Sequence, residues 1–171
     1  VEAAGRTFRD VAIAGNLAYV AESHNGLLMI DVSDLSNPIE IGSIDTPGYP
    51  YAVTISGDTA YVVTGDEGLQ VIDVSDPSDP LIIGSADTPG SARGVSVIAG
   101  MAYVADYSAG LQVIDISDPN HPLIIGNIDT SGDANDVVVA GDRAYVANDS
   151  SGLQVISVSD PSNPFIIGNI D

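Results

Sequence analysis

Apolar residues come along this chain in short runs, each closed by Gly, Pro, Asp, Asn or Ser. That punctuation is the mark of strands joined by tight turns. The runs Ala102 to Ala105, Leu111 to Ile116 and Leu123 to Ile128 are rich in Val, Ile, Leu and Tyr, residues that fit a pleated surface. No stretch repeats its apolar positions with the 3.6-residue period of an amphipathic helix. In Leu69 to Val74 and Leu111 to Ile116 both faces of the predicted strand are largely apolar, as they are in Val137 to Val139 and Leu123 to Ile125. A strand with one wet face would alternate, so these strands are expected to be covered on both sides.

Written from Asp87, one unit reads Asp-Thr-Pro-Gly, a strand at Ala92 to Val97, a turn at Ala99-Gly100, and a strand at Ala102 to Ala105. A loop, a third strand at Leu111 to Ile116, a Pro-rich turn and a fourth strand at Leu123 to Ile128 complete it. The same order recurs every 42 residues without insertion or deletion, fixed by Ala18-Tyr19, Ala60-Tyr61, Ala102-Tyr103 and Ala144-Tyr145 and by Gly26-Leu27, Gly68-Leu69, Gly110-Leu111 and Gly152-Leu153. Fixed periods in this range belong to repeats that bury their faces against their neighbours. Four hairpin-spaced strands per unit, covered on both faces, predict an all-β propeller of four-stranded antiparallel blades. A parallel β-helix would use shorter coils. One repeat domain over residues 1–171 follows, with blades at about 4–45, 46–87, 88–129 and 130–171.

The third strand, Leu69-Gln70-Val71-Ile72-Asp73, has copies at Leu27 to Asp31, Leu111 to Asp115 and Leu153 to Ser157. Together with the Ser-Asp-Pro turns and the Ala-Tyr-Val strands it resembles the LVIVD repeat. The resemblance implies a β-propeller of the kind found in exported or surface-attached bacterial and archaeal proteins. It brings no catalytic or binding motif with it. The last copy departs from the pattern at Ser157, where the others carry Asp31, Asp73 and Asp115.

Composition changes the picture mainly through charge. There are 24 acidic residues against four Arg, for a net charge of -20, which excludes nucleic acid as a natural partner and disfavours anionic membranes. Much of the Asp serves turns, where a short carboxylate bonds the following backbone N–H; the excess also suits salty or extracellular surroundings. Cysteine is absent, which excludes disulfides, thiolate nucleophiles and Cys-based zinc sites. No apolar run reaches the length of a transmembrane helix. The chain opens inside a repeat and not at a methionine, consistent with an export signal removed from a longer precursor.

Comparison of the units with one another separates two kinds of loop. The turn after the third strand barely changes, as Asp34-Leu35-Ser36-Asn37-Pro38, Asp76 to Pro80, Asp118 to Pro122 and Asp160 to Pro164. The loop after the second strand differs in every copy, as Glu22 to Asn25, Thr64 to Glu67, Asp106 to Ala109 and Asn148 to Ser151. So does the approach to the first strand, at Thr7 to Asp10, Tyr49 to Ala52, Ser91 to Gly94 and Asp133 to Asp136. In an up-and-down blade these two variable segments open on one face, where recognition is expected. The candidate ligand-binding residues of that face are Arg9, Asp10, His24, Tyr51, Asp66, Glu67, Arg93, Tyr107, Asn135, Asp136 and Asp149. Arg9 and Arg93 share one repeat position near the channel mouth, as Asp10 and Asp136 share the next, which suits ion pairing with Asp or recognition of a carboxylate or sugar.

No catalytic residues, metal ligands or cofactor are assigned: the chain has no Gly-x-Ser-x-Gly elbow, no phosphate-cradling loop and no calcium loop. His24 and His121 fall in loops on opposite faces. The functional expectation is a non-enzymatic interaction module, extracellular or at the cell surface, that takes a protein or glycan on its varied face. The competing expectations are a glycan-active enzyme with carboxylates such as Asp66 and Glu67 at the channel mouth, and a purely architectural part of a larger propeller. Four blades in an open arc would expose an apolar face at each end. Two chains joined head-to-tail are therefore expected to close an eight-bladed homodimeric ring, with a compact four-bladed monomer as the alternative.

Overall fold

The computed structural model describes residues 6–149 and 151–171, and among them sixteen strands follow one another. The first blade holds β1 (Phe8–Ala14), β2 (Leu17–Glu22), β3 (Gly26–Asp31) and β4 (Ile39–Ile44). The second holds β5 (Ala52–Ser56), β6 (Thr59–Val63), β7 (Leu69–Asp73) and β8 (Leu81–Ala86). The third holds β9 (Gly94–Ile98), β10 (Met101–Ala105), β11 (Leu111–Asp115) and β12 (Leu123–Ile128), and the fourth β13 (Ala134–Ala140), β14 (Arg143–Asn148), β15 (Gly152–Ser157) and β16 (Phe165–Ile170). Each blade is a separate antiparallel sheet paired in chain order.

Local chemistry sets these meanders. The two-residue turn after the first strand begins with Gly15, Gly57, Ala99 or Gly141, all at positive φ, as tight hairpins require. The turn after the third strand satisfies itself: Asp31, Asp73 and Asp115 accept from the N–H of Ser33, Ser75 and Ser117, and Asp34, Asp76, Asp118 and Asp160 accept from the N–H two residues on. In the fourth blade Ser157 and Ser159 share a hydroxyl–hydroxyl bond in place of the Asp. A bulge recurs in the third-to-fourth ladder of every blade, at Met29/Ile30, Val71/Ile72, Val113/Ile114 and Val155/Ile156, which adds twist to the outer strand.

The core lies between blades. Tyr19, Ala21, Leu27 and Met29 of the first blade pack on Val53, Ala60, Val62, Ile72 and Val74 of the second. The same pattern repeats with Tyr61, Val63, Leu69 and Val71 against Ala102, Val104, Ile114 and Ile116, and with Tyr103, Ala105, Leu111 and Val113 against Ala144, Val146, Ile156 and Val158. A forward face thus meets a backward face three times. The outer strands fit through glycine: a Cβ on Gly42, Gly84 or Gly126 would strike the carbonyl of Pro77, Pro119 or Pro161 in the next blade's turn.

The backbone also crosses two of the junctions. Gly65 and Ala92 exchange both main-chain hydrogen bonds, as do Tyr107 and Ala134. Ala92 is therefore spent on the neighbouring blade, and the strand expected from Ala92 starts at Gly94. The first junction has Pro50 at the matching position, which carries no N–H to donate; there the Val53 N–H donates to the Asp10 carboxylate at 2.9 Å instead.

First strands contact one another from β1 to β5, β5 to β9 and β9 to β13, and the sheets form an open array. Among the described residues one backward face and one forward face have no neighbouring blade, although Ala18, Val20 and Leu28 of the first blade are buried. Val11 is 55% exposed where Val53 is 5%, and Leu153 is 38% exposed where Leu27, Leu69 and Leu111 are fully buried. Nothing lies within 4 Å of a Cβ built on Gly168, the fourth-blade counterpart of Gly126.

Candidate functional site

The variable segments do open on one face, because the loop after β6 bridges to the approach of β9 and the loop after β10 to that of β13. One repeat position dominates this face. Steps of 42 residues place Arg9, Tyr51, Arg93 and Asn135 side by side on successive blades. Their backbones are fixed alike, with the Tyr51 and Arg93 N–H groups donating to Val63 and Ala105 carbonyls at 2.8 Å. The Arg9 guanidinium carbon stands 4.5 Å from the Tyr51 ring centroid, and Arg93 stands 5.8 Å from the same ring. Arg93 is also stacked at 3.8 Å on Tyr107, which projects from the loop after β10. Such contacts are cation–π in character and hold the planar cation in one orientation.

The polar partners of this row are neutral. Arg9 Nε donates to Ser23 Oγ at 2.8 Å, and Arg93 Nη1 donates to Asn135 Oδ1 at 2.9 Å. Among the described residues neither cation has a carboxylate within 4.0 Å, whereas Arg6 pairs with Glu40 and Arg143 with Asp142. Arg93 Nε is buried and has no hydrogen-bond partner among the described residues. The Asp residues next in sequence serve the strands: Asp10 accepts from Val11 and Val53 N–H groups, and Asp136 from Val137 N–H. The ion pairs between Arg and Asp that the shared positions allow are not formed there.

Beside the row lies a cleft of about 220 Å³ lined by Tyr49, Tyr51, Thr64, Asp66, Glu67 and Ser91. Asp66 and Glu67 are exposed on its rim. His24 meets Tyr49 edge-on with ring centroids 6.1 Å apart, and its Nδ1 is 3.8 Å from Glu22 Oε1. Asp149 is exposed on the fourth-blade loop, its N–H given to the Asp133 carbonyl. A hydrogen bond to Asp133, followed by that carboxylate's charge, pushes the Tyr107 phenol upward. Most of the predicted residues are thus gathered around one mouth, with Tyr49, Ser23 and Ser91 added by the structure. Among the described residues no three His, Asp or Glu side chains converge as metal ligands would.

A second set escaped sequence reasoning. Glu22, Thr64, Asp106 and Asn148 close the second strands at 42-residue steps, and all four are buried. Asp106 accepts from the Thr88 hydroxyl at 2.7 Å and the Gly90 N–H at 2.9 Å, tying its loop to the approach of β9. Burial raises its pKa. Glu22 Oε2 and both amide atoms of Asn148 have no partner among the described residues. The available signal was a polar residue ending every Ala-Tyr-Val strand at a constant position.

The model of the LVIVD repeat matches four times, over residues 5–46, 47–88, 89–130 and 131–171. The chain belongs to the LVIVD-repeat family. No curated protein matches this LVIVD-repeat chain. Among solved structures it is similar to the computationally designed Ika8 protein, with a TM-score of 0.74 and 8% identity over 90% of this chain and 46% of that one. It is also similar to the computationally designed Ika4 protein, with a TM-score of 0.72 and 8% identity over 92% of this chain and 94% of that one. The LVIVD-repeat chain therefore spans about half the length of Ika8 and nearly all of Ika4. At this identity the likeness concerns fold alone: a propeller-like array of four-stranded sheets.

Proposed function

We propose that this protein is a non-enzymatic β-propeller module that binds a glycan or a protein through the face carrying the Arg9–Tyr51–Arg93 row, and that two copies close head-to-tail into an eight-bladed ring. The observation that carries the binding reading is the row itself. Cations stacked on aromatic rings, beside a cleft with a further tyrosine, carboxylates and a hydroxyl, make a surface of directed donors and acceptors on a rigid scaffold. The cleft's size and its mix of ring faces and hydroxyl-bonding groups favour a glycan over a protein. An extracellular or cell-surface setting agrees with the acidic composition.

Ring closure rests on the two end faces. The free face of the first blade, with Val11, Val20 and Ile30 around a groove of about 410 Å³, repeats the residues that face Leu69 and Leu111 at the internal junctions. The free face of the fourth blade repeats the forward face, with Tyr145, Ala147, Leu153 and Val155. Gly168 keeps the open seat that Gly42, Gly84 and Gly126 use for the next turn, and Leu35, 89% exposed, stands on the turn that would fill it. Light scattering coupled to size exclusion is expected to give a mass near 35 kDa, twice 17.5 kDa. A mass of one chain, unchanged on dilution, would refute the ring. A glycan array run beside a hydrolysis screen tests the binding reading; turnover lost on replacing Asp66 or Glu67 would replace it with the enzyme reading.

A further inference from the structure

We infer that the Arg9–Tyr51–Arg93–Tyr107 row receives a single carboxylate carried by an otherwise neutral glycan, that is, one acidic sugar; this rests on the glycan reading of the varied face. Charge statistics are the first argument. Carboxylates outnumber cations six to one, as 24 to 4, so an arginine standing apart from every carboxylate runs against the composition. Arg6 and Arg143 have one, and Arg9 and Arg93 have none among the described residues. These two unpaired cations share one repeat position, two blades apart, at the mouth.

The geometry of the guanidinium groups supplies the second argument. Their faces rest on Tyr51 and Tyr107, and one edge of each is held by a neutral acceptor, Ser23 or Asn135. The remaining guanidinium N–H groups of exposed Arg9 and half-buried Arg93 suit an oxyanion, for which a fixed guanidinium edge is the matching donor. Tyr107 adds a third argument. It holds φ at 50°, in the left-handed region, where the second blade has Gly65. A bulky residue kept in that conformation marks a position set by what its side chain does, here covering Arg93.

The neighbouring cleft limits the ligand. Asp66, Glu67 and Ser91 can accept from or donate to sugar hydroxyls, whereas a second anionic sugar would meet those carboxylates and the field of a chain at -20. One carboxylate fits and a polyanion does not.

The test uses calorimetric titration of the full chain at about 0.15 M salt, with methyl glucuronide, methyl glucoside and trigalacturonate as probes. The glucuronide is expected to bind about tenfold more tightly than the glucoside, one charge-assisted pair's worth of preference. The trigalacturonate should bind no more tightly than the glucuronide. Arg9→Gln and Arg93→Gln, both at the solvent-facing mouth, should bring the preference to about unity. Tyr107→Gly, which places glycine where the fold already uses it in Gly65, should keep the melting temperature and lose the preference. Equal binding of glucuronide and glucoside, or a preference untouched by Arg93→Gln, would overturn the inference and leave glycan binding standing. Tighter binding of the trigalacturonate would also overturn it. Failure of both monosaccharides with a positive glycan array overturns only the carboxylate site, and a blank array overturns the glycan reading as well.

Discussion

Asp106 shows how one repeat position is spent differently in each blade. Thr64 and Asn148 fill it with neutral groups, whereas Asp106 brings a carboxylate to the same buried place and holds Thr88 and Gly90 with it. Burial raises its folded pKa, so between the unfolded value of about 4 and that raised value the folded state binds more protons than the unfolded one. Asp106 therefore costs stability progressively as pH rises through this window, and the cost is constant above it. Asparagine can keep both bonds, taking the Gly90 N–H on its oxygen and donating to the Thr88 hydroxyl. Asp106→Asn is expected to be more stable than the parent at pH 7 and to lose that advantage below about pH 4, as thermal melts across the range would report. The exposed turn carboxylates act in the opposite sense. Backbone and hydroxyl hydrogen bonds from Ser33, Ser75 and Ser117 lower Asp31, Asp73 and Asp115, hydroxyl and backbone bonds from Ser36 and Ser78 lower Asp34 and Asp76, and the His121 ring with Asn120 lowers Asp118, so their contribution is present above about pH 4 and is lost as pH falls through the depressed values.

At the scale of the strand and blade, glycine in the fourth strand would separate folding from the proposed assembly. Gly126 is filled by the Pro161 carbonyl within the chain, and Gly168 by nothing. Gly126→Val is expected to destabilise the chain by several kcal/mol, since the clash is with backbone and cannot be relieved by a rotamer change. Gly168→Val should leave the single-chain melt unchanged and reduce the assembled mass to one chain; equal effects at both sites would contradict the shared geometry of the junctions. How much of this was legible follows from which signals are local. Strands and hairpin turns were readable because Gly, Asp and Pro punctuate every run and each turn satisfies its own hydrogen bonds, as Asp76 does with Ser78. The 42-residue step also exposed the shared position of Arg9 and Arg93. Their stacking on Tyr51 and Tyr107 was not readable, because it depends on how far neighbouring blades stand apart. Nor was the burial of Glu22 or Asp106, where a polar residue in a variable loop looks the same from sequence whether it faces water or caps a neighbouring turn. Ala92 reads as part of its own strand for a related reason, since its partner Gly65 belongs to another repeat.

For the whole molecule, identical spacing does not mean identical attachment. Two junctions carry a pair of main-chain hydrogen bonds, at Gly65/Ala92 and Tyr107/Ala134, and the first cannot, because Pro50 brings no donor. The Val53 N–H bond to the Asp10 carboxylate replaces only part of that pair, so this junction is expected to have the lower opening free energy. Amides of β1, β2 and β3 are accordingly expected to exchange with solvent through a partial opening at lower denaturant than those of β10 and β14, in native-state hydrogen exchange on a chain kept monomeric by Gly168→Val. Uniform protection across the four sheets would count against this ordering. In mechanical language the array has a seam, and the seam runs between Arg9 and Tyr51, so an opening of the first blade would take one wall of the mouth away from the other three.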